Sequence, residues 1–238
     1  MTNLSVNINK VALIRNARGE DKPNLLKFAK DCEEFGAQGI TVHPRPDERH
    51  IRYDDLSVLK GNILTEFNIE GYPSQKFIDK VCEVKPAQVT LVPDPPGALT
   101  SSEGWDCKSN LAFLKETIDQ FKGKGIRVSI FLEADPDMVE SAAMTGADRI
   151  ELYTGHYAKQ YFQNKEKAVS GHNETAKLAG VVGLGVNAGH DLNLDNLHYY
   201  VNNVPNLLEV SIGHALVCDA LYFGIQNTIQ MYLHQINR

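Results

Sequence analysis

Short apolar runs rich in β-branched residues alternate along this chain with longer stretches whose apolar positions recur every three or four residues. The short runs lie at 4–8 (LSVNI), 39–43 (GITVH), 63–70 (ILTEFNIE), 87–92 (AQVTLV), 126–133 (IRVSIFLE), 148–154 (DRIELYT), 181–187 (VVGLGVN) and 207–212 (LLEVSI). Each has the composition and length of a strand. Between them the spacing predicts helices. PNLLKFAKDCEEFG puts Pro23 at a first helical position, Leu25, Phe28, Ala29 and Cys32 on one face, and Gly36 at the stop. PSQKFIDKVCEV repeats that pattern from Pro73, with Phe77, Val81 and Val84 in register. Further helices are predicted over 110–124 and 136–145, and one long helix from about His214 closes the chain.

Strands alternating with helices imply parallel pairing through right-handed crossovers. Eight such units in 238 residues match an α/β fold of the TIM (β/α)8 barrel type with extra helices, a single domain over 1–238. FGAQGITVH and TGADRIELYTG share Gly-Ala-x-x-Ile at a helix-to-strand junction, as repeated units would. An open doubly wound sheet is the second choice. It lacks a G-x-G-x-x-G turn after the first strand, and the glycines of GLGVNAG fall within and after the seventh run.

Composition narrows the function. The chain carries 24 basic against 30 acidic side chains, a net charge of −6, which argues against a nucleic-acid surface. No apolar run approaches the roughly 20 residues of a membrane span. MTNLSVNINK lacks the basic flank and apolar stretch of a signal peptide, so a cytoplasmic protein is expected. Cys32, Cys82, Cys107 and Cys218 form no CxxC pair, which predicts neither a zinc site nor a disulfide framework. Cys32 and Cys82 read as small hydrophobes on helical stripes.

A barrel of this kind does its chemistry at the carboxyl ends of its strands. Those positions hold Asn7, Asn9, His43, Arg45, Glu70, Thr100, Glu133, Thr154, His156, Asn187, His190, Gly213 and His214. Many of these are ordinary turn formers. His43, Glu70 and His190 differ, because imidazole and carboxylate together can move protons at neutral pH. The loops after the seventh and eighth strands, NAGHD and IGHAL, have the glycines and the helix start of a phosphate site. Arg18 in RNARG, and Arg45 with His50, can add charge-assisted contacts. Two such clusters suggest a phosphorylated substrate, or two. Two histidines and a carboxylate could instead hold a metal, although no HExxH-like spacing supports it. Lys10 is the one lysine near a strand end that a Schiff-base aldolase would need.

VNINKVALIRNARG, GITVHPRPDERHI, FNIEG, TLVPD with LTSSEGWD, VNAGHDL and SIGHALV follow one another from Val6 to Val217. In that order they resemble the pyridoxine 5′-phosphate synthases, the ring-closing enzymes of vitamin B6 biosynthesis. The resemblance implies condensation of 3-amino-2-oxopropyl phosphate with 1-deoxy-D-xylulose 5-phosphate, giving pyridoxine 5′-phosphate, phosphate and water. It implies no metal, no organic cofactor, and a homo-oligomer, commonly an octamer. By position, His43 and Glu70 match the family's proton acceptors and His190 its proton donor. Asn7, Arg18, Gly213 and His214 match the residues that hold the amino-ketone phosphate; Arg45, His50 and Thr100 match those for the deoxyxylulose phosphate.

Two departures stand out. Asn9 and Lys10 replace an Asp-His pair of many members, and Asp191 replaces the glycine after the NAGH histidine. All three positions remain candidate substrate contacts, Asp191 through its backbone. The alternatives are another phosphosugar isomerase or aldolase on the same fold, or a non-catalytic phosphometabolite-binding protein.

Overall fold

The computed structural model describes residues 1–94, 97 and 101–238. Eight parallel strands close on themselves in chain order: β1 (Asn3–Asn7), β2 (Gly39–Val42), β3 (Glu66–Gly71), β4 (Gln88–Leu91), β5 (Arg127–Leu132), β6 (Arg149–Tyr153), β7 (Gly185–Gly189) and β8 (Leu207–Ile212). Val6 lies beside Ile40 of β2 and Ile212 of β8, which closes the ring. This is the TIM barrel that the alternation predicts. Its extra helices include Asn9–Asn16 after β1 and Gly155–Gln160 after β6.

Along each strand, one set of alternate residues is apolar and meets the surrounding helices: Leu4 and Val6, Ile40 and Val42, Phe67 and Ile69, Ile150 and Leu152, Val210 and Ile212. The other set is mostly polar. Ser5, Thr41, Asn68, Gln88, Thr90, Ser129, Glu151, Asn187 and Glu209 are all nearly or fully buried. Contacts between non-adjacent strands show that this set fills the barrel: Thr90 on β4 meets Glu151 on β6 at 3.5 Å, and Arg149 on β6 meets Glu66 on β3 at 3.8 Å. Branched apolar side chains usually occupy this interior. Here hydrogen bonds satisfy most of it. The Ser5 and Thr41 hydroxyls are 2.7 Å apart, and Thr90 donates to Asn68 at 3.1 Å.

Several boundaries differ from the sequence expectation. Pro23 and Pro73 stand just before their helices rather than at the first helical position, and Asn24 and Ser74 are the caps, accepting from the N–H groups of Lys27 and Phe77. The third strand begins at Glu66 rather than 63, because Glu33 Oε1 takes the N–H groups of Leu64 and Thr65 at 2.8 and 2.6 Å. The seventh run divides: Val181 ends the helix Lys165–Val181, Gly183 turns the chain at φ +83°, and β7 starts at Gly185. The closing helix is two helices, His214–Phe223 and Ile225–Asn237, separated at Gly224 (φ +74°). The second packs on β1 between the helices Leu25–Glu34 and Leu197–Asn203. Cys32 and Cys107 are buried, as small hydrophobes are, and burial pushes both thiols up, Cys107 to about 12.

Candidate active site

The carboxyl ends of the strands surround a cavity of about 670 Å³. β1 ends at Asn7, whose side-chain oxygen accepts from the Asn9 N–H at 3.1 Å, starting the helix Asn9–Asn16. Asn9 in turn accepts the His43 N–H at 2.8 Å, which ties the end of β2 to that turn. Asn9 therefore shapes the rim with its carbonyl. Lys10, one residue into the helix, lines the cavity.

His43 and Glu70 follow on adjacent strands. Nδ1 of His43 lies 3.9 Å from Oε2 of Glu70, and Asn7 Nδ2 lies 3.5 Å from the same oxygen. Both side chains are close to fully buried. Burial, with the positive charges of Arg45 and other neighbours, pushes the His43 imidazole well below its ordinary pKa. Burial, with the carboxyl groups of Glu151 and Asp94, pushes Glu70 well above its own. Both groups are thus held near neutrality, poised to exchange protons with something that enters between them.

Next to this pair is a cationic corner. Arg45 donates to Asp94 at 2.8 Å, and Ser101 donates to the same carboxylate oxygen at 2.6 Å. All three side chains are buried. His50 Nδ1 accepts the Ile51 N–H at 2.9 Å, so its proton sits on Nε2. Burial and the charges of Arg45, Arg49 and Lys10 bring its pKa down to about 4. His50 is therefore a neutral hydrogen-bond donor among cations. The loop that carries it is held by RNARG: Arg15 forms a two-pronged ion pair with Asp55 at 2.7 and 2.9 Å and reaches the His50 carbonyl at 3.2 Å. Asn16 donates to the carbonyls of Arg49 and His50.

The opposite wall comes from β7 and β8. His190 adopts φ +96° and its Nδ1 lies 2.6 Å from Asp191 Oδ2. Glu151 reaches the cavity from inside the barrel beside Gly189, where a Cβ would lie 2.7 Å from Glu151 Oε1. Burial raises Glu151 to about 7, against the lowering pull of His190 and the Thr90 hydroxyl. Gly213 packs against Asn7, so an added Cβ would sit 3.0 Å from the Asn7 Cβ. That close approach brings the start of the helix His214–Phe223 to the cavity edge, where Gly213 and His214 line it.

Among the candidate residues, Asn7, Asn9, Lys10, His43, Arg45, His50, Glu70, His190, Asp191, Gly213 and His214 all line this one cavity. Arg18 is not brought to it; it is exposed in the turn after the helix Asn9–Asn16. Thr100 lies outside the described residues. Thr154 is a buried brace, donating to the Gly189 carbonyl at 2.6 Å. His156 and Glu133 face each other at 3.9 Å away from the cavity lining. Among the described residues, no three His, Cys, Asp or Glu side chains gather as they would around a metal ion.

Reading only strand ends missed Glu151, which sits in the middle of β6. Its signal is a carboxylate alternating with Ile150 and Leu152, which places it on the interior face. Asp94 and Ser101 were also missed, since neither stands out until the fold brings them to Arg45.

The family described as "Pyridoxal phosphate biosynthesis protein PdxJ" matches residues 4–238. A pyridoxine 5′-phosphate synthase of Parabacteroides distasonis is 63% identical over 237 residues, covering 100% of both chains. One of Bacteroides thetaiotaomicron is 62% identical, covering 98% of each. Among solved structures, phosphoribosyl anthranilate isomerase from Thermotoga maritima superposes with TM-score 0.61 at 15% identity, covering 100% of this chain and 99% of that one. A 3-keto-L-gulonate-6-phosphate decarboxylase from Vibrio cholerae gives 0.66 at 8%, covering 100% and 98%. At such identities these two structures speak for the barrel alone.

Proposed function

The chain belongs to the pyridoxal phosphate biosynthesis family PdxJ and closes the ring of vitamin B6, and from that premise we propose that the cavity at the strand ends is where it does so. There 3-amino-2-oxopropyl phosphate and 1-deoxy-D-xylulose 5-phosphate condense to pyridoxine 5′-phosphate, with loss of phosphate and water. The observation that carries the placement is the convergence of His43, Glu70 and His190 on one cavity, which Lys10, Arg45, His50, Gly213 and His214 also line.

The amine of one substrate adds to the ketone of the other, a first water leaves, the imine rearranges, phosphate is eliminated, a carbon–carbon bond closes the ring, and loss of a second water makes it aromatic. Each step moves a proton and none needs an electron acceptor. His43 and Glu70 accept protons, as a neutral imidazole and as a carboxylate once ionised. His190 donates one. Glu151, nearly buried and held near 7, can hold or return a proton from below. Arg45, the Nε2–H of His50 and Lys10 hold one phosphate. The helix start at Gly213 and His214, with Asn7, holds the other. Arg18, which the family pattern assigns to that phosphate, is exposed outside the cavity lining. Asn9 serves by fixing the rim, and the Asp191 backbone is anchored beside His190.

A cytoplasmic homo-octamer made of one domain per chain completes the reading. Leu13 and Ile14 on one helix, and Leu221, Tyr222 and Phe223 on the helix packed against it, are exposed apolar side chains that an interface would cover. Among the described residues, no helix is long and apolar enough to cross a membrane.

The test is product formation from both phosphorylated substrates, followed by pyridoxine absorbance and phosphate release, with wild type and Glu70→Gln. Product from wild type and a loss of roughly 100-fold or more in Glu70→Gln is expected. Equal turnover by a folded Glu70→Gln protein overturns the placement of the chemistry.

A further inference from the structure

We propose that the Asp191 side chain is a positioning residue for His190, holding the ring by Nδ1–H and so leaving Nε2 as the nitrogen that exchanges a proton with substrate. This rests on the reading of His190 as the proton donor and goes beyond it, since Asp191 entered only as a backbone contact beside a phosphate.

The geometry is direct. Asp191 Oδ2 is 2.6 Å from His190 Nδ1, a distance typical of a charge-assisted hydrogen bond. An ionised carboxylate can only accept, so Nδ1 carries the hydrogen and Nε2 is the nitrogen left for substrate. Burial pushes Asp191 up, but the hydrogen bond from His190, its charge, and the charges of Lys159 and His214 outweigh this and leave the carboxyl below its usual range.

The loop is built to hold this contact. Thr154 Oγ1 accepts the Asp191 N–H at 3.1 Å while donating to the Gly189 carbonyl. Asn196 donates to the Asp191 carbonyl at 3.3 Å, and the edge-on Tyr153 ring stands 5.6 Å from the imidazole. His190 itself is held at a φ that residues other than glycine rarely adopt, which needs such over-determined surroundings. Other titratable groups face the pair. Glu151 on β6 and His43 after β2 interact electrostatically with His190; Lys159 and His214 lie on the Asp191 side. Among the groups named here, Asp191 is the one in hydrogen-bond contact with Nδ1. The glycine of the family pattern would leave that nitrogen without this acceptor.

Four variants separate the effects. Asp191→Asn keeps an acceptor but removes the charge; Asp191→Ala removes both; Asp191→Glu tests rescue; His190→Gln tests the underlying reading. Nitrogen-15 NMR of the histidine rings in the free enzyme should show hydrogen on His190 Nδ1 in wild type, and loss of that preference in Asp191→Ala. For turnover of the two substrates, Asp191→Ala should lose roughly tenfold or more in kcat with little change in either KM. Asp191→Asn, which keeps an acceptor, should lose less than Asp191→Ala, and Asp191→Glu should recover part of the loss. Unchanged ring signals and an unchanged kcat in a folded Asp191→Ala protein would overturn the proposal and leave the donor reading intact. A wild-type kcat in His190→Gln would overturn both.

Discussion

His43 Nδ1 and Glu70 Oε2 stand 3.9 Å apart on neighbouring strands, and the surroundings disfavour the charged form of each. The pair is therefore held near neutrality. Its carboxyl must lose a proton before it can accept one from substrate.

That requirement has a sign in pH. Glu70 is raised well above the ordinary carboxyl range of about 4, so kcat/KM should climb with pH through a limb above that range. The pH–rate profile of the wild-type enzyme checks this. A limb at the ordinary carboxyl value would show that Glu70 is not the titrating base.

Stability carries a second pH signature. Burial raises Glu151 to about 7; burial, with Glu66 and Glu151, raises Glu209 to about 8. The native protein keeps protons that the unfolded chain has lost above about pH 4.3, so these groups' contribution is full below that value and declines as pH rises through 7 and 8. Glu151→Gln has no such proton to lose. It should flatten the fall and be more stable than wild type at pH 8 by roughly 1–3 kcal/mol, measured by urea unfolding at pH 5.5 and 8.

The Arg45–Asp94 pair is buried on both sides, at 2.8 Å. Asp94→Ala leaves the guanidinium without that carboxylate, a change that typically costs about 3–5 kcal/mol. The expected outcome is a lower Tm together with a raised KM for the substrate whose phosphate Arg45 holds. Thermal unfolding and steady-state kinetics read the two effects separately.

The two arginines of RNARG should fail differently. Arg15→Met breaks the buried contacts to Asp55 and the His50 carbonyl, so it should lower Tm and loosen the cationic corner. Arg18 is exposed, so Arg18→Ala should leave Tm within about 1 °C, and a raised KM for the amino-ketone phosphate is expected only on the role that the family pattern gives it. A fall in Tm for Arg18→Ala with unchanged KM would assign it to structure instead.

By itself the sequence determined what depends on local periodicity: eight strand units, their order, and the strand ends where His43, Glu70 and His190 sit. It determined the family as well, because GITVHPRPDERHI and VNAGHDL are contiguous segments. The alternation of IELY and EVSI was equally local, but which alternate face lines the barrel depends on closure. Only the closed ring turns Thr90, Glu151 and Glu209 into a polar interior. The same holds for roles set by partners distant in the chain. Arg15 and Arg18 look alike in RNARG, and the packing of Asp55 makes one an anchor and leaves the other exposed. Asp191 shows the limit most sharply. Its neighbour His190 is adjacent in sequence, yet its direction is set by Thr154 and Asn196, which only the tertiary structure brings to that loop. Periodicity fixes where side chains emerge, and closure of the fold decides what they meet.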